Sequence, residues 1–236
     1  MNNDRSILTV SNLTKRYGQF AALNNISLSL PAGKVIGLLG PNGSGKTTLI
    51  KVLANLLMQY QGEILINGMK PGIGTKQIVS YLPDRNYLPD KWSAKDSILY
   101  FKDFYGDFDE AKANRLMNEL YIDTAKRFKT LSKGTKEKVQ LALVLSRNAK
   151  LYLLDEPIAG VDPAARDYIF RMILENYNKE ASVILSTHLI SEVEHILDYV
   201  VFIQSGNIAL AGDAKQIVEH NGKSLNDLFR EVFRYA

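Results

Sequence analysis

The chain has 236 residues, 46% of them hydrophobic and 23% charged, with no cysteine. That balance suits a soluble globular protein with a sizeable core, built as one large domain or as one domain with a sub-lobe. It excludes a disulfide framework and a thiolate metal site. A net charge of +4, with a pI near 9.0, tolerates anionic ligands, yet no run of like charge marks a nucleic-acid surface.

The N-terminal MNNDRSILTV lacks the basic-then-apolar pattern of a signal segment. Short β-rich stretches follow, ILTVSNL and ISLSL, with PAG as the turn into the next run. KVIGLLG (34–40) is continuously apolar, as expected of a strand buried on both faces. GKTTLIKVLANLL then places Leu49, Ile50, Leu53, Leu56 and Leu57 at helical spacing. GEILINGMK predicts another strand and turn. The pattern becomes helical from Ser93 to about Lys129, with SAKD (93–96) as a capping box. A helix, TKEKVQLALVLSRN, follows LSKG. The strand candidates LYLLD, SVILST and YVVFIQSG then alternate with helices, predicting a mainly parallel sheet interrupted by a helical insertion. SLNDLFREVF carries Leu225, Leu228, Phe229, Val232 and Phe233 on one face, as expected of a C-terminal amphipathic helix (about 224–235) packed on the core. No apolar run approaches the roughly 18 residues of a membrane span, so any span belongs to another chain.

GPNGSGKT (40–47) fits the phosphate-loop pattern and stands where the mechanism needs it, between a buried strand and a helix. Backbone N–H groups of Gly40, Pro41's neighbours Asn42 and Gly43, then Ser44 and Gly45, can wrap phosphate oxygens at the positive end of the helix that Thr48 joins. Lys46 would reach the β- and γ-phosphates of ATP, and the Thr47 hydroxyl would ligand Mg²⁺. LYLLDEP supplies a strand end with two carboxylates. Asp155 is expected to hold Mg²⁺ and Glu156 to orient or deprotonate the attacking water.

The order GPNGSGKT, helical insertion, LSKG, LYLLDEP, AGVDP and STH resembles the ATP-binding subunit of an ABC transporter, over about residues 8–212. The resemblance implies an α/β fold with a P-loop NTPase core, a mainly parallel sheet, an antiparallel β layer and a helical sub-lobe. One ATPase domain would span 1–236, with the lobe at about 86–135. It also implies that Ser132 and the Gly134 N–H close over ATP held by a second subunit of a head-to-tail dimer, homo- or heterodimeric. Tyr17 in LTKRYG matches the position that stacks on adenine, with core packing as the alternative and Phe20 as a weaker candidate. His188 matches a γ-phosphate contact, and Asp162 lies in the loop crossing the dimer interface. His195 and His220 fit no motif and are expected at the surface.

Four positions depart from the family pattern. Lys133 replaces a glycine and Thr135 a glutamine in the LSGGQ-like turn, and Ala159 stands where serine is frequent. Asp84, after VSYLP, replaces a glutamine that reaches Mg²⁺; a carboxylate suits that hard ion too. RNYLPDKW, just beyond, is the expected docking surface for a permease helix, with Tyr87, Leu88 and Trp92 packed on the insertion as the other reading. The resemblance is strongest to bacterial exporters of the ABC-2 type. It implies an ATPase on the cytoplasmic face of the membrane, held there by an integral-membrane permease. A permease-independent ABC ATPase and a weakly hydrolytic regulatory subunit are the alternatives.

Overall fold

The computed structural model describes residues 6–157 and 161–234. It opens with an antiparallel hairpin, β1 (Ser6–Tyr17) and β2 (Phe20–Pro31), and then enters the central strand β3 (Val35–Leu39), in which every residue is buried. Helix α1 (Lys46–Leu53) follows, then β4 (Gln61–Ile66), α2 (Ile73–Ile78) and β5 (Val79–Leu82). The helical part comprises α3 (Ala94–Phe104), α4 (Glu110–Glu119) and α5 (Lys133–Leu145). It is followed by β6 (Leu151–Asp155), α6 (Pro163–Asn176), β7 (Ser182–Thr187), a single turn α7 (Ile190–Val193), β8 (Tyr199–Gln204), β9 (Asn207–Asp213), α8 (Ala214–Asn221) and α9 (Leu225–Val232).

The strands form two sheets: an antiparallel one in the order β2-β1-β4, and a six-stranded one in the order β5-β6-β7-β3-β8-β9. The large sheet is parallel except for its edge strand β9, which runs antiparallel to β8. Alternate residues of the parallel strands serve two cores. Tyr152, Leu154, Val200 and Phe202 pack toward the helical side with Phe128, Met117 and Ile173. Leu151, Leu153, Val201 and Ile203 pack toward α1 and the small sheet with Leu8, Leu13 and Ile64. Continuous apolar strands are the consequence, since neither face meets water.

Several predicted boundaries shift. The helical spacing ran on to Leu56 and Leu57, but α1 ends at Leu53 and Leu56 is 55% exposed. Asn55 takes a left-handed φ of 56°; the Leu56 N–H donates to Lys51 O (2.9 Å) and the Asn55 N–H to Val52 O (3.0 Å). This is a helix-terminating motif in which asparagine substitutes for the usual glycine. Helix α5 begins before the predicted Thr135: Ser132 is its N-cap, accepting from the Thr135 N–H at 3.2 Å, so Gly134 lies in the first turn. The capping box at Ser93 forms as expected. Its N–H and hydroxyl donate to Asp96 Oδ2 at 2.8 and 2.7 Å, and its Oγ accepts from the Asp96 N–H. Strands β5 and β9 and helix α2 were not expected as elements. In α9, Leu225 and Leu228 are buried and Phe229 and Phe233 lie 5.7 and 5.9 Å from Phe202, but Val232 faces solvent, 37% exposed. His195 and His220 are exposed, as anticipated.

Candidate functional site

Strands β3, β5, β6 and β7 end along one edge of the large sheet, because their register pairs Leu39 with Thr187, Asp155 with Ser186 and Leu82 with Leu154. Ligands of open α/β sheets bind at this carboxyl edge. It gathers Asn42, Gly43 and Gly45 of the loop, Lys46 and Thr47, Asp84, Glu156 and His188 around a cleft of about 470 Å³, with Asp155 buried at the end of β6 next to Glu156.

The loop needs its glycines. A Cβ on Gly40 would sit 2.3 Å from the Ile203 carbonyl oxygen. Gly45, at φ 115°, is left-handed, and its Cβ would meet Ala22 O at 2.7 Å. Lys46 is buried, its Nζ donating to Gly40 O (2.7 Å) and Pro41 O (3.1 Å) and lying 3.7 Å from Glu156 Oε1. Burial pushes its ammonium pKa down, against the pull of Glu156 and Asp155.

Asp155 is fully buried. Its Oδ1 accepts from the hydroxyls of Ser186 (2.6 Å) and Thr47 (3.1 Å), while Oδ2 has no partner among the described residues. Burial raises its carboxyl pKa, and Asp84 and Glu156 add to the rise; the two hydroxyls oppose it. Glu156 has a left-handed φ of 50°, which costs a non-glycine residue about 1 kcal/mol. Its N–H donates to Ser186 Oγ (3.0 Å) and Ser186 O (3.1 Å), and both of its carboxylate oxygens lie 3.1 Å from His188 Nδ1. Ser186 therefore holds the Asp155 carboxylate and the backbone of Glu156. Sequence reasoning gave it no role, although it stands inside the quoted STH.

The donor set suits a Mg²⁺–nucleotide. Two buried polar atoms of the site, Ser44 Oγ and Asp155 Oδ2, lack partners among the described residues. Thr47, Asp155 and Asp84 are hard oxygen donors of the kind magnesium takes. At the far end of the cleft Tyr17 is 49% and Phe20 63% exposed, so Tyr17 is not a core residue. Lys15 Nζ lies 5.2 Å over the Tyr17 ring.

Ser132, Gly134 and Asp162 do not line this cleft. Lys133 is 81% exposed and lies 3.8 Å from Glu137 one turn along α5, so its side chain runs along the helix. Ala159 lies outside the described residues. Beside the cleft, and sharing Asp84 with it, runs a groove of about 590 Å³ between the sheet and the helical part. Its aromatic wall includes Tyr87, Tyr100 and Phe104, with Phe104 66% exposed, and Lys51, Lys76 and Arg85 stand on its basic rim. Leu88 is buried and Trp92 packs 5.0 Å from Tyr100, so RNYLPDKW both packs on the insertion and borders the groove. No helix among the described residues is long and apolar enough to cross a membrane.

Residues 23–159 match the family described as ABC transporter. The chain is similar to the ABC transporter ATP-binding protein YtrB of Bacillus subtilis (strain 168), 30% identical over 216 residues that cover 90% of this chain and 74% of that protein. It is also similar to the lantibiotic transport ATP-binding protein SrtF of Streptococcus pyogenes, 32% identical over 207 residues, 86% of this chain and 90% of that one. A solved structure described as the ATP binding subunit of an ABC transporter superposes with a TM-score of 0.86 at 27% identity, covering 97% of this chain and 100% of the other. The family match runs from the antiparallel layer through the phosphate loop to the end of β6, and the relatives extend it over most of the remainder: the chain belongs to the ABC transporter family, as one of its ATP-binding proteins.

Proposed function

We propose that this protein is the ATP-hydrolysing subunit of an ABC transporter, acting as one ATPase domain in a head-to-tail dimer that drives a separate integral-membrane permease. The observation that carries the reading is the chain of contacts from Lys46 to Glu156 (3.7 Å) to His188 (3.1 Å), set at the mouth of the phosphate loop beside a buried Asp155. The amides of the loop and of the first turn of α1, through Thr48, bind the phosphates. Lys46 exchanges its two carbonyl partners for phosphate oxygens. Tyr17, with Phe20 beside it, stacks on the base. Thr47, Asp155 and Asp84 hold Mg²⁺, which when bound neutralises phosphate charge. Glu156 takes a proton from the attacking water, and His188 keeps its carboxylate aimed into the cleft. Ser132 and the Gly134 N–H face the nucleotide of the other subunit, with the segment of Asp162 beside it. Their absence from the cleft of their own chain fits that arrangement.

The groove beside Asp84 is the surface on which the permease docks, and that contact keeps the protein on the cytoplasmic face of the membrane. Export is the favoured direction: the ABC-2 resemblance points there, and a relative is named for lantibiotic transport.

Gel filtration of Glu156→Gln with and without MgATP, next to wild-type turnover, tests the reading. Removal of the base is expected to lower turnover about 10²–10⁴-fold and to trap a dimer in MgATP. A variant that binds ATP and stays monomeric would overturn the homodimer and require a different second subunit. Absence of wild-type turnover would favour a regulatory subunit.

A further inference from the structure

Arg166, in the first turn of α6, makes two contacts that join separate parts of the site. Its Nε donates to the Val161 carbonyl at 3.2 Å, and its Nη1 donates to Glu192 Oε1 at 2.5 Å. Val161 directly precedes Asp162. Glu192 lies in α7, which starts two residues after His188. Both charged side chains are largely covered, 19% and 30% exposed, and Glu192 Oε2 is buried with no partner among the described residues. A carboxylate so placed depends on Arg166, its cationic partner among the described residues.

Helix α7 is a single turn without a side-chain cap. Ile190 and Val193 bury their side chains and set its depth, but apolar burial has no direction. The charge-assisted bond from Arg166 does have one, and sets how the turn is rotated. Rotation of α7 carries His188 with it, and His188 lies 3.1 Å from both oxygens of Glu156.

We propose that Arg166 and Glu192 are positioning residues for hydrolysis: the pair ties the Val161–Asp162 backbone to the His188 segment, so that the placement of one is transmitted to Glu156 through the other. The role in hydrolysis rests on the function proposed above; the mechanical link does not. If the segment of Asp162 meets the second subunit, the pair reports that contact to the proton-accepting carboxylate.

Glu192→Gln keeps the shape of the side chain and removes its charge, and Arg166→Lys keeps the charge while losing the second donor. For wild type, both variants and Glu156→Gln, the histidine Cε1–H signals of the nucleotide-free protein are recorded by NMR, with exposed His220 as internal reference. ATP turnover is measured alongside. The His188 signal is expected to move in Glu192→Gln toward its position in Glu156→Gln, with His220 unmoved. The kcat is expected to fall about tenfold with KM for ATP within about twofold, and Arg166→Lys to fall between this variant and wild type. An unmoved His188 signal, or a moved signal with unchanged kcat, overturns the proposal, as does a loss confined to KM. Wild-type protein without turnover would sink the hydrolytic reading alone, because the His188 signal still decides whether the link exists.

Discussion

Among the described residues, Asp155 accepts two hydrogen bonds on one oxygen and none on the other, at the end of a strand whose five residues are all buried. An incompletely compensated buried carboxylate costs stability, and groups that bind it offset that cost. Because burial raises its folded-state pKa above the unfolded one, this group takes nothing from stability where both states are protonated. It takes progressively more as pH rises toward the folded pKa. Asp155→Asn is therefore expected to melt about 2–4 °C above wild type near neutral pH without nucleotide. That gain should shrink as pH falls from neutral toward the ordinary carboxylate range and reverse when MgATP is added. Thermal melts across that range check it, and a gain that grows on acidification contradicts the assignment. Which carboxylates would share the strand end was legible from LYLLDEP, because adjacency in the chain guarantees adjacency in space. That Ser186 binds the first carboxylate and the backbone of the second residue was not: it is 31 residues from Asp155 and arrives only through the pairing of β6 with β7.

Helix ends explain much of how the elements are placed. Side-chain caps are local, so Ser93 with Asp96 could be named in advance, and the backbone N–H of Ser93, with its hydroxyl, holds the Asp96 carboxyl below its ordinary pKa. Ser93→Ala removes the cap of α3, the helix that builds the aromatic wall of the groove, and is expected to lower Tm by about 2–4 °C. Differential scanning calorimetry reads this directly, and an unchanged Tm would mean that tertiary packing alone holds the helix start. The missed elements have physical reasons. Strand β5 has four residues and α2 six, too few for a period to declare itself. Strand β9 pairs on one side only, at the sheet edge, where mixed burial blurs the apolar signal. The leucine spacing of α1 continues past Asn55, but the left-handed backbone of that residue ends the helix.

On the scale of the whole molecule, two concavities meet at Asp84. The cleft carries phosphate-loop chemistry, while the groove has exposed aromatics and a basic rim. A groove with aromatic anchors and Lys51, Lys76 and Arg85 around it suits an amphipathic segment with acidic residues beside an apolar face. If a permease docks in this groove as proposed, Phe104→Ala is expected to weaken that association at least about tenfold, while the ATP turnover of the isolated subunit stays within about twofold of wild type. Reconstitution of the two subunits with each form measures this, and equal loss of turnover by the isolated variant would place Phe104 in the nucleotide site instead.

The sequence by itself determined the parts whose physics is local. These are the apolar runs that must become strands buried on both faces, the loop whose glycines free its amides, the carboxylate pair at a strand end, and the cap of α3. Tertiary structure alone decided which of these distant pieces touch. The order β5-β6-β7-β3 brings Asp84, Asp155, Ser186 and the loop to one edge. Glu156 meets His188 across 32 residues and Arg166 meets Glu192 across 26. The groove exists only where the helical part packs beside β5. Periodicity reports the environment of each residue along its own element, but parallel strand order is set by crossovers, and no local pattern encodes which neighbour a crossover chooses.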